Sequence, residues 1–342
     1  MVRPPVGLRD RRGRRGRVGR GVPRSPRRLR RGRADGAPVP EEGRVTPTFA
    51  VVVVQDVPWP EWRRRVLECE ALGYDAVHVW DHLVHRTLSD EDPLLDAFGL
   101  LSAAAAVTER IRLGTLVASP TLRHPYLLAK QAMTVDHLSG GRLDLGIGAA
   151  GVARDYAALG MAPWSKAEQV ERFRETVELV RAVTAGATSY AGRHYAGAEL
   201  SIAPGTTRRP LPLTLAAHGP RTLRIAAEHA TTWNVIAPRD RGPAEAVAHA
   251  AALSARLSAY AAELGRDPAA IGRSVLLGSA DWPVRRSAGE FADAVRRFRD
   301  AGFDGFVLMY PDHPAEAAIG HGEAAPDIVA RVAELLPELR SA

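Results

Sequence analysis

Apolar positions in this chain fall into two alternating rhythms. Short, mostly apolar runs (Phe49–Val54, Ala76–Trp80, Ile111–Val117, Leu143–Ile147) alternate with longer segments in which apolar residues recur every three or four positions. The short runs are rich in β-branched residues and end in polar or small ones, which predicts strands buried on both faces. The longer segments predict helices. Pro60–Leu72 places Trp62, Val66, Cys69 and Leu72 on one face, with Gly73 as its stop. Pro93–Val107 begins after Asp92, and Tyr126–Leu138 ends at Ser139-Gly140-Gly141.

After Gly148 the rhythm breaks. One long helix, Ala167–Thr184, and an irregular stretch, Tyr190–Pro210, precede the next strand at Leu213–Ala217. Strands follow at Thr232–Ile236, Ser274–Leu277 and Gly305–Met309, with helices at Arg221–His229, Ala244–Leu264, Ala288–Ala301 and Ala324–Leu336. This alternation predicts an α/β fold, a closed (β/α)8 TIM barrel with an insertion after the fourth strand, because closure leaves no edge strand. An open doubly wound sheet wants a G-x-G-x-x-G turn after its first strand. Gln55-Asp56-Val57-Pro58-Trp59-Pro60 stands there instead.

Charge changes the picture at one end only. The formal net charge of the 342 residues is +7, but residues 1–45 hold 15 arginines against 4 acidic residues, which leaves the remainder mildly acidic. A nucleic-acid partner is therefore not expected for the body of the chain. Residues 1–45 have almost no large apolar side chains and read as a disordered Arg-rich tail, with 46–342 as the barrel domain. An anionic-surface tail, a transit peptide and a dispensable segment are the three readings of that tail, and arginine without lysine favours the last. Cys69 is the single cysteine, so no intrachain disulfide is expected, and it reads as a core filler. No apolar run approaches the roughly 20 residues of a membrane span, and no signal-peptide h-region is seen. A cytoplasmic enzyme is expected.

In a barrel the site lies at the carboxyl ends of the strands. Those ends are Gln55-Asp56, Trp80-Asp81-His82, Leu116-Val117-Ala118-Ser119, Gly148-Ala149-Ala150-Gly151, His218-Gly219-Pro220 and Asn234. The chain has no Cys/His cluster, no His-Glu-x-x-His and no Gly-x-Ser-x-Gly, so neither zinc nor a serine nucleophile is expected. Small apolar tips with isolated polar groups suit a large planar organic cofactor. His82 supplies the side chain that titrates nearest neutrality, a natural proton donor or acceptor. From the residues alone, His82 and His85 could equally be solvated loop histidines.

Several short motifs occur in order: Glu70-x-Leu72-Gly73-Tyr74-Asp75, Trp80-Asp81-His82, Thr108-x-Arg110-Ile111-Arg112-Leu113-Gly114-Thr115, Arg123-His124-Pro125 with Ala129-Lys130, Asp136-x-Leu138-Ser139-Gly140-Gly141-Arg142, and Leu145-Gly146-Ile147-Gly148. With them, the chain from Thr48 to Leu336 resembles the luciferase-like monooxygenase superfamily of flavin and deazaflavin enzymes. The resemblance implies coenzyme F-420 (a deazaflavin) or FMN at the barrel mouth, acting on a small organic substrate by hydride transfer or oxygenation. It implies that Asp81 bonds the cofactor and that His82 faces its reactive edge as the catalytic residue. It implies a non-proline cis peptide at Leu116–Val117 backing the ring, and a cofactor bond from Ser119. Gly148 and Ala149 would line the ring, and Arg154 of the Arg154-Asp155 pair would reach the cofactor side chain or form a surface pair. His218-Gly219-Pro220-Arg221-Thr222, a strand end opening a helix, would hold the phosphate. Gly151 departs from relatives that carry Glu or Trp there, which puts sugar-phosphate dehydrogenase chemistry in doubt. A homodimer is implied, and with FMN a flavin reductase partner. The insertion is expected to cover the mouth and choose the substrate. A degenerate, non-catalytic flavin-binding barrel is the alternative. A barrel hydrolase or aldolase ranks lower, since Lys130 and Lys166 are the only lysines and neither is at a strand end.

Overall fold

The computed structural model describes residues 46–85, 93–149, 151–238, 241–278, 282–311 and 323–341, so the tail read at 1–45 lies outside the described residues. Strands β1 (Thr48–Val52), β2 (Ala76–Val79), β3 (Arg112–Ala118) and β4 (Leu143–Gly148) precede a two-residue hairpin, β5 (Tyr190–Ala191) and β6 (Ala196–Gly197). Strands β7 (Leu213–Ala216), β8 (Thr232–Ile236), β9 (Gly272–Leu277) and β10 (Gly305–Met309) follow. All but the hairpin close into a parallel barrel in the order β1-β10-β9-β8-β7-β4-β3-β2. The (β/α)8 expectation holds.

Helices α1 (Trp59–Ala71), α2 (Ala97–Val107), α3 (Pro125–Leu138), α6 (Pro220–His229), α7 (Pro243–Glu263) and α8 (Ala288–Asp300) link successive barrel strands. The insertion after β4 carries α4 (Ala153–Ala158) as well as the long α5 (Lys166–Thr184). Two helix expectations need correction. Asp96 rather than Asp92 starts α2, because its carboxylate accepts the Gly99 N–H at 2.6 Å. The final helix is two short ones, α9 (Ile328–Ala333) and α10 (Leu336–Ser341), since Pro337 lacks the N–H that would continue the ladder.

The larger core lies between the barrel and its helices. Trp62, Val66 and Cys69 of α1, and Phe173 and Val177 of α5, belong to the same buried cluster as Phe49, Val77, Leu113 and Leu145 of the strands. A smaller apolar cluster fills the barrel itself: Val52, Val54, Trp80, Leu116, Leu276, Val307 and Met309. Each such side chain contributes about 1.5–3 kcal/mol on burial.

Strands β3 and β4 approach closely because glycine allows it. A Cβ at Gly114 would stand 1.9 Å from the Asp144 carbonyl oxygen, and one at Gly146 would stand 2.1 Å from the Thr115 carbonyl oxygen. Between Thr115 and Ala118 the register shifts, and within that irregularity the Leu116–Val117 peptide is cis. A Cβ at Gly148 would lie 2.4 Å from Val117 Cγ2, so glycine there leaves the room that the bulge occupies.

Several of the resemblance motifs are scaffold. Glu70 Oε1 accepts the backbone N–H groups of Glu109, Arg110 and Ile111 at 3.0, 2.7 and 2.9 Å, tying α1 to the turn before β3. Arg142 donates to the carbonyls of Ser139, Ile111 and Thr108 at 2.7, 2.7 and 2.9 Å. Asp136 accepts from the N–H and hydroxyl of Thr207 at 2.6 and 2.7 Å, anchoring the insertion's return to α3.

Candidate active site

The carboxyl end of β2 and the first helix of the insertion meet over the mouth. His82 Nδ1 lies 2.7 Å from Asp155 Oδ2, and the Leu83 N–H donates to Asp155 Oδ1 at 2.9 Å. Asp155 is fully buried. Burial alone would raise its carboxyl pKa, but the hydrogen bonds from His82 and from the Leu83 and Val84 N–H groups outweigh it and hold the group below the ordinary carboxylate range. An ionised carboxylate only accepts, so the His82 proton sits on Nδ1 and Nε2 is left as the basic nitrogen. With 20% of its side chain exposed, the imidazole is reachable from the mouth. Trp80 packs edge-on against it, with ring centroids 6.3 Å apart.

Asp155 is a residue that the sequence reading did not assign to the site. The Arg154-Asp155 pair does not lie together on the surface: Asp155 turns inward to His82, and Arg154 donates to the carbonyl of His85. The expectation that Arg154 reaches for a cofactor side chain therefore meets a guanidinium that braces the loop after β2. Two adjacent polar residues on a six-residue helix carry no periodic signal to tell inward from outward.

Asp81 is likewise already engaged. Arg123 grips it with two parallel bonds of 2.5 and 2.7 Å, and the Ser119 N–H donates to it at 2.9 Å. Both side chains are buried, and the Arg123 guanidinium also lies 4.8 Å from the Phe98 ring centre. A bidentate, desolvated pair of this kind is strong and geometrically selective. It joins the end of β2 to the end of β3, so the motif of Asp81 and the motif of Arg123 are two halves of one clamp. The cis peptide, Gly148 and half-buried Ala149 stand beside this clamp at the adjoining tips. His124 caps α3 by accepting the Tyr126 N–H at 3.1 Å, with Pro125 at its first turn.

Gly151 is packed from the side-chain direction. A Cβ there would stand 2.5 Å from both Thr121 Oγ1 and Tyr156 Cε2, so the space that a Glu or Trp would need is taken.

On the far side of the mouth, Gly219 is the cap position of α6 and Pro220 its first residue, with no side-chain cap bond. His218, Gly219, Pro220 and Arg221 are exposed. The Thr222 hydroxyl donates to the Gly219 carbonyl at 2.9 Å. Desolvation and the neighbouring His249 lower the His218 pKa, which keeps its ring neutral near pH 7. The uncapped N–H groups and Arg221 remain to meet an anion.

Gln55, at the end of β1, was named as a strand tip without a role. It is fully buried, its Nε2 donates to the Trp80 carbonyl at 2.6 Å, and its Oε1 has no partner among the described residues. A buried acceptor without a donor is costly. It fits a planar ligand that carries N–H or O–H groups at its edge. Apolar tips, an orphan edge acceptor and an open helix start together fit a flavin-like group with a phosphate-bearing side chain.

The chain is similar to several known proteins. A stretch of 161 residues is 40% identical to an F420-dependent glucose-6-phosphate dehydrogenase of Beutenbergia cavernae, covering 46% of each chain. A stretch of 183 residues is 33% identical to a 5,10-methylenetetrahydromethanopterin reductase of Archaeoglobus fulgidus, covering 53% of this chain and 50% of that one. The chain thus spans about half the length of these relatives. The fold is shared with an F420-dependent secondary alcohol dehydrogenase, at a TM-score of 0.71 and 16% identity over 86% of this chain and 99% of that one. It is shared also with a long-chain alkane monooxygenase, at a TM-score of 0.67 and 14% identity over 86% and 91%. The profile of the family described as luciferase-like monooxygenase matches residues 43–299. The chain belongs to the luciferase-like monooxygenase family.

Proposed function

We propose that this chain is an oxidoreductase that binds coenzyme F420 or FMN at the barrel mouth and uses His82 as its acid–base group. The observation that carries the reading is the His82–Asp155 pair at 2.7 Å, built by folding the insertion back over the end of β2. When bound, the deazaflavin or flavin supplies a ring that accepts or gives a hydride. The Leu116–Val117 bulge walls one side of the site, and the Gln55 carbonyl takes a donor at the ligand's edge. The start of α6 and Arg221 meet the phosphate. Asp155 keeps the His82 proton on Nδ1, so Nε2 takes the proton that leaves a substrate hydroxyl, or returns it in the reverse direction.

One feature favours a working enzyme over a degenerate barrel. A fully buried, ionised Asp155 is expensive unless it serves a partner, and its partner is the imidazole at the mouth. The crowding of Gly151 by Thr121 and Tyr156 leaves no room for a second acid there. The reaction therefore differs from one that needs a glutamate at that position, and sugar phosphates are not the expected substrates.

Absorption and fluorescence titrations with F420 and with FMN test the cofactor. One of them binds with at least tenfold preference. His82→Ala then keeps that affinity within a few fold, whereas turnover on an alcohol and carbonyl panel falls about 100-fold or more. If neither cofactor binds at micromolar concentration, the reading is wrong.

A further inference from the structure

A second cavity opens inside the barrel at the amino-terminal ends of the strands, opposite His82. It encloses about 340 Å3, is lined from all eight barrel strands, and presents His78, Arg112, Asp144, Thr214, Thr232 and Ser274. Barrel interiors are ordinarily filled with layers of branched aliphatic side chains. Here Ala50, Ala76 and Gly305 stand in those places and leave the space open. Farther along the same strands, Val52, Trp80, Leu276, Val307 and Met309 pack as an apolar layer between this cavity and the mouth.

The lining selects for charge and for hydrogen bonding. Three charged residues line the wall, Asp75, Arg112 and Asp144. Arg112 Nε donates to Asp144 Oδ2 at 2.9 Å and Arg340 donates to Asp75 Oδ2 at 3.0 Å, so each charge is paired. His78 Nε2 stands 3.9 Å from Asp144 Oδ2, while its Nδ1 is buried with no partner among the described residues. Ser274 Oγ accepts from Asn234 Nδ2 at 3.0 Å, which leaves its own proton to donate. Thr214 and Thr232 are also part of the wall. The walls thus offer hydroxyl-bearing residues and paired charges. A space of this size with polar groups in its wall does not stay dry. It holds roughly ten water-sized groups at about 30 Å3 each, the bulk of a five-carbon polyol.

We propose that the amino-terminal cavity of the barrel is a binding site for a small neutral polyol, held by Thr214, Thr232 and Ser274. Leu116, which lines this cavity, is also the residue before the cis peptide at the mouth, so an occupant here touches the wall of the candidate active site from behind.

The probe is xylitol, with ligand-observed NMR on the full chain and crystals soaked in the same compound. Xylitol binds the wild type and is seen in this cavity. Thr214→Val and Thr232→Val, which keep shape and remove a hydroxyl, each weaken binding about fivefold. His82→Ala does not change it, and xylonate, which adds a carboxylate to the same skeleton, binds more weakly. The proposal is overturned if xylitol gives no saturation transfer, if soaked crystals hold only water in the cavity, or if xylonate binds more tightly. It is overturned equally if His82→Ala abolishes binding while the two valine variants retain it. The soaked wild-type crystal decides the matter even if a variant fails to fold, and none of these readouts depends on F420 or FMN.

Discussion

At the scale of single residues, the decisive contact is one carboxylate on one imidazole. Asp155 sets which nitrogen of His82 carries the proton, and it does so because it is ionised where a carboxyl would otherwise be neutralised by burial. Asp155→Asn keeps the shape and removes the charge. Turnover is expected to fall about tenfold or more, while cofactor affinity changes little. The acid limb of stability changes too. A carboxyl whose folded pKa lies below its unfolded value of about 3.9 stabilises fully above that value, and the contribution is lost as pH falls through the folded value. Urea unfolding between about pH 5 and pH 2 should therefore show a shallower loss of stability in Asp155→Asn than in the wild type. An unchanged slope would show that Asp155 is not ionised in the fold. His82 was legible in the sequence as a histidine at a strand end. Its partner was not, because 73 positions separate them and the path of the insertion alone brings them together.

At the scale of elements, the β3–β4 pair is where the backbone is most constrained. Gly114, Gly146 and Gly148 each face an atom that a methyl group would strike, and only at Gly148 is that atom a side chain, Val117 Cγ2. Gly148→Ala should therefore fold with a displaced Val117, at a cost of about 1–3 kcal/mol. A denaturant midpoint and the affinity for the cofactor measure it together, and both should fall. Retained affinity in a destabilised variant would remove the Val117 wall from the site. The motifs that carried the family resemblance mostly belong to this scale. Glu70, Arg142 and Asp136 satisfy backbone groups at turns, and Asp81 with Arg123 clamps two strand ends. They are distinctive because unsatisfied buried backbone groups are costly, and they identify the fold more directly than the reaction.

At the scale of the whole molecule, the helix layer closes over the barrel so completely that Cys69 is fully buried on α1. Burial, with a smaller push from Glu68, raises its thiol pKa far above the ordinary range. A thiol reagent should therefore label the native chain no faster than it unfolds, and labelling should follow the denaturant transition. Fast labelling in the absence of denaturant would show α1 leaving the barrel locally. Among the described residues no helix is long and apolar enough to cross a membrane.

The sequence by itself determined the architecture. Two periodicities, one for strands and one for helices, are local properties, and eight repeats of them admit a closed barrel as the economical solution. The strand tips that form the mouth followed from the same pattern, as did the position of the cis peptide through the resemblance. Only the tertiary structure decided how those tips are used. It gave Asp155 to His82, Arg154 to the His85 carbonyl, Asp81 to Arg123, and left Gln55 Oε1 without a partner among the described residues. It also left a cavity open in the amino-terminal half of the barrel. The reason is physical: a periodic pattern states which side of an element is buried, but the partner met there depends on where another element, distant in the chain, returns to pack.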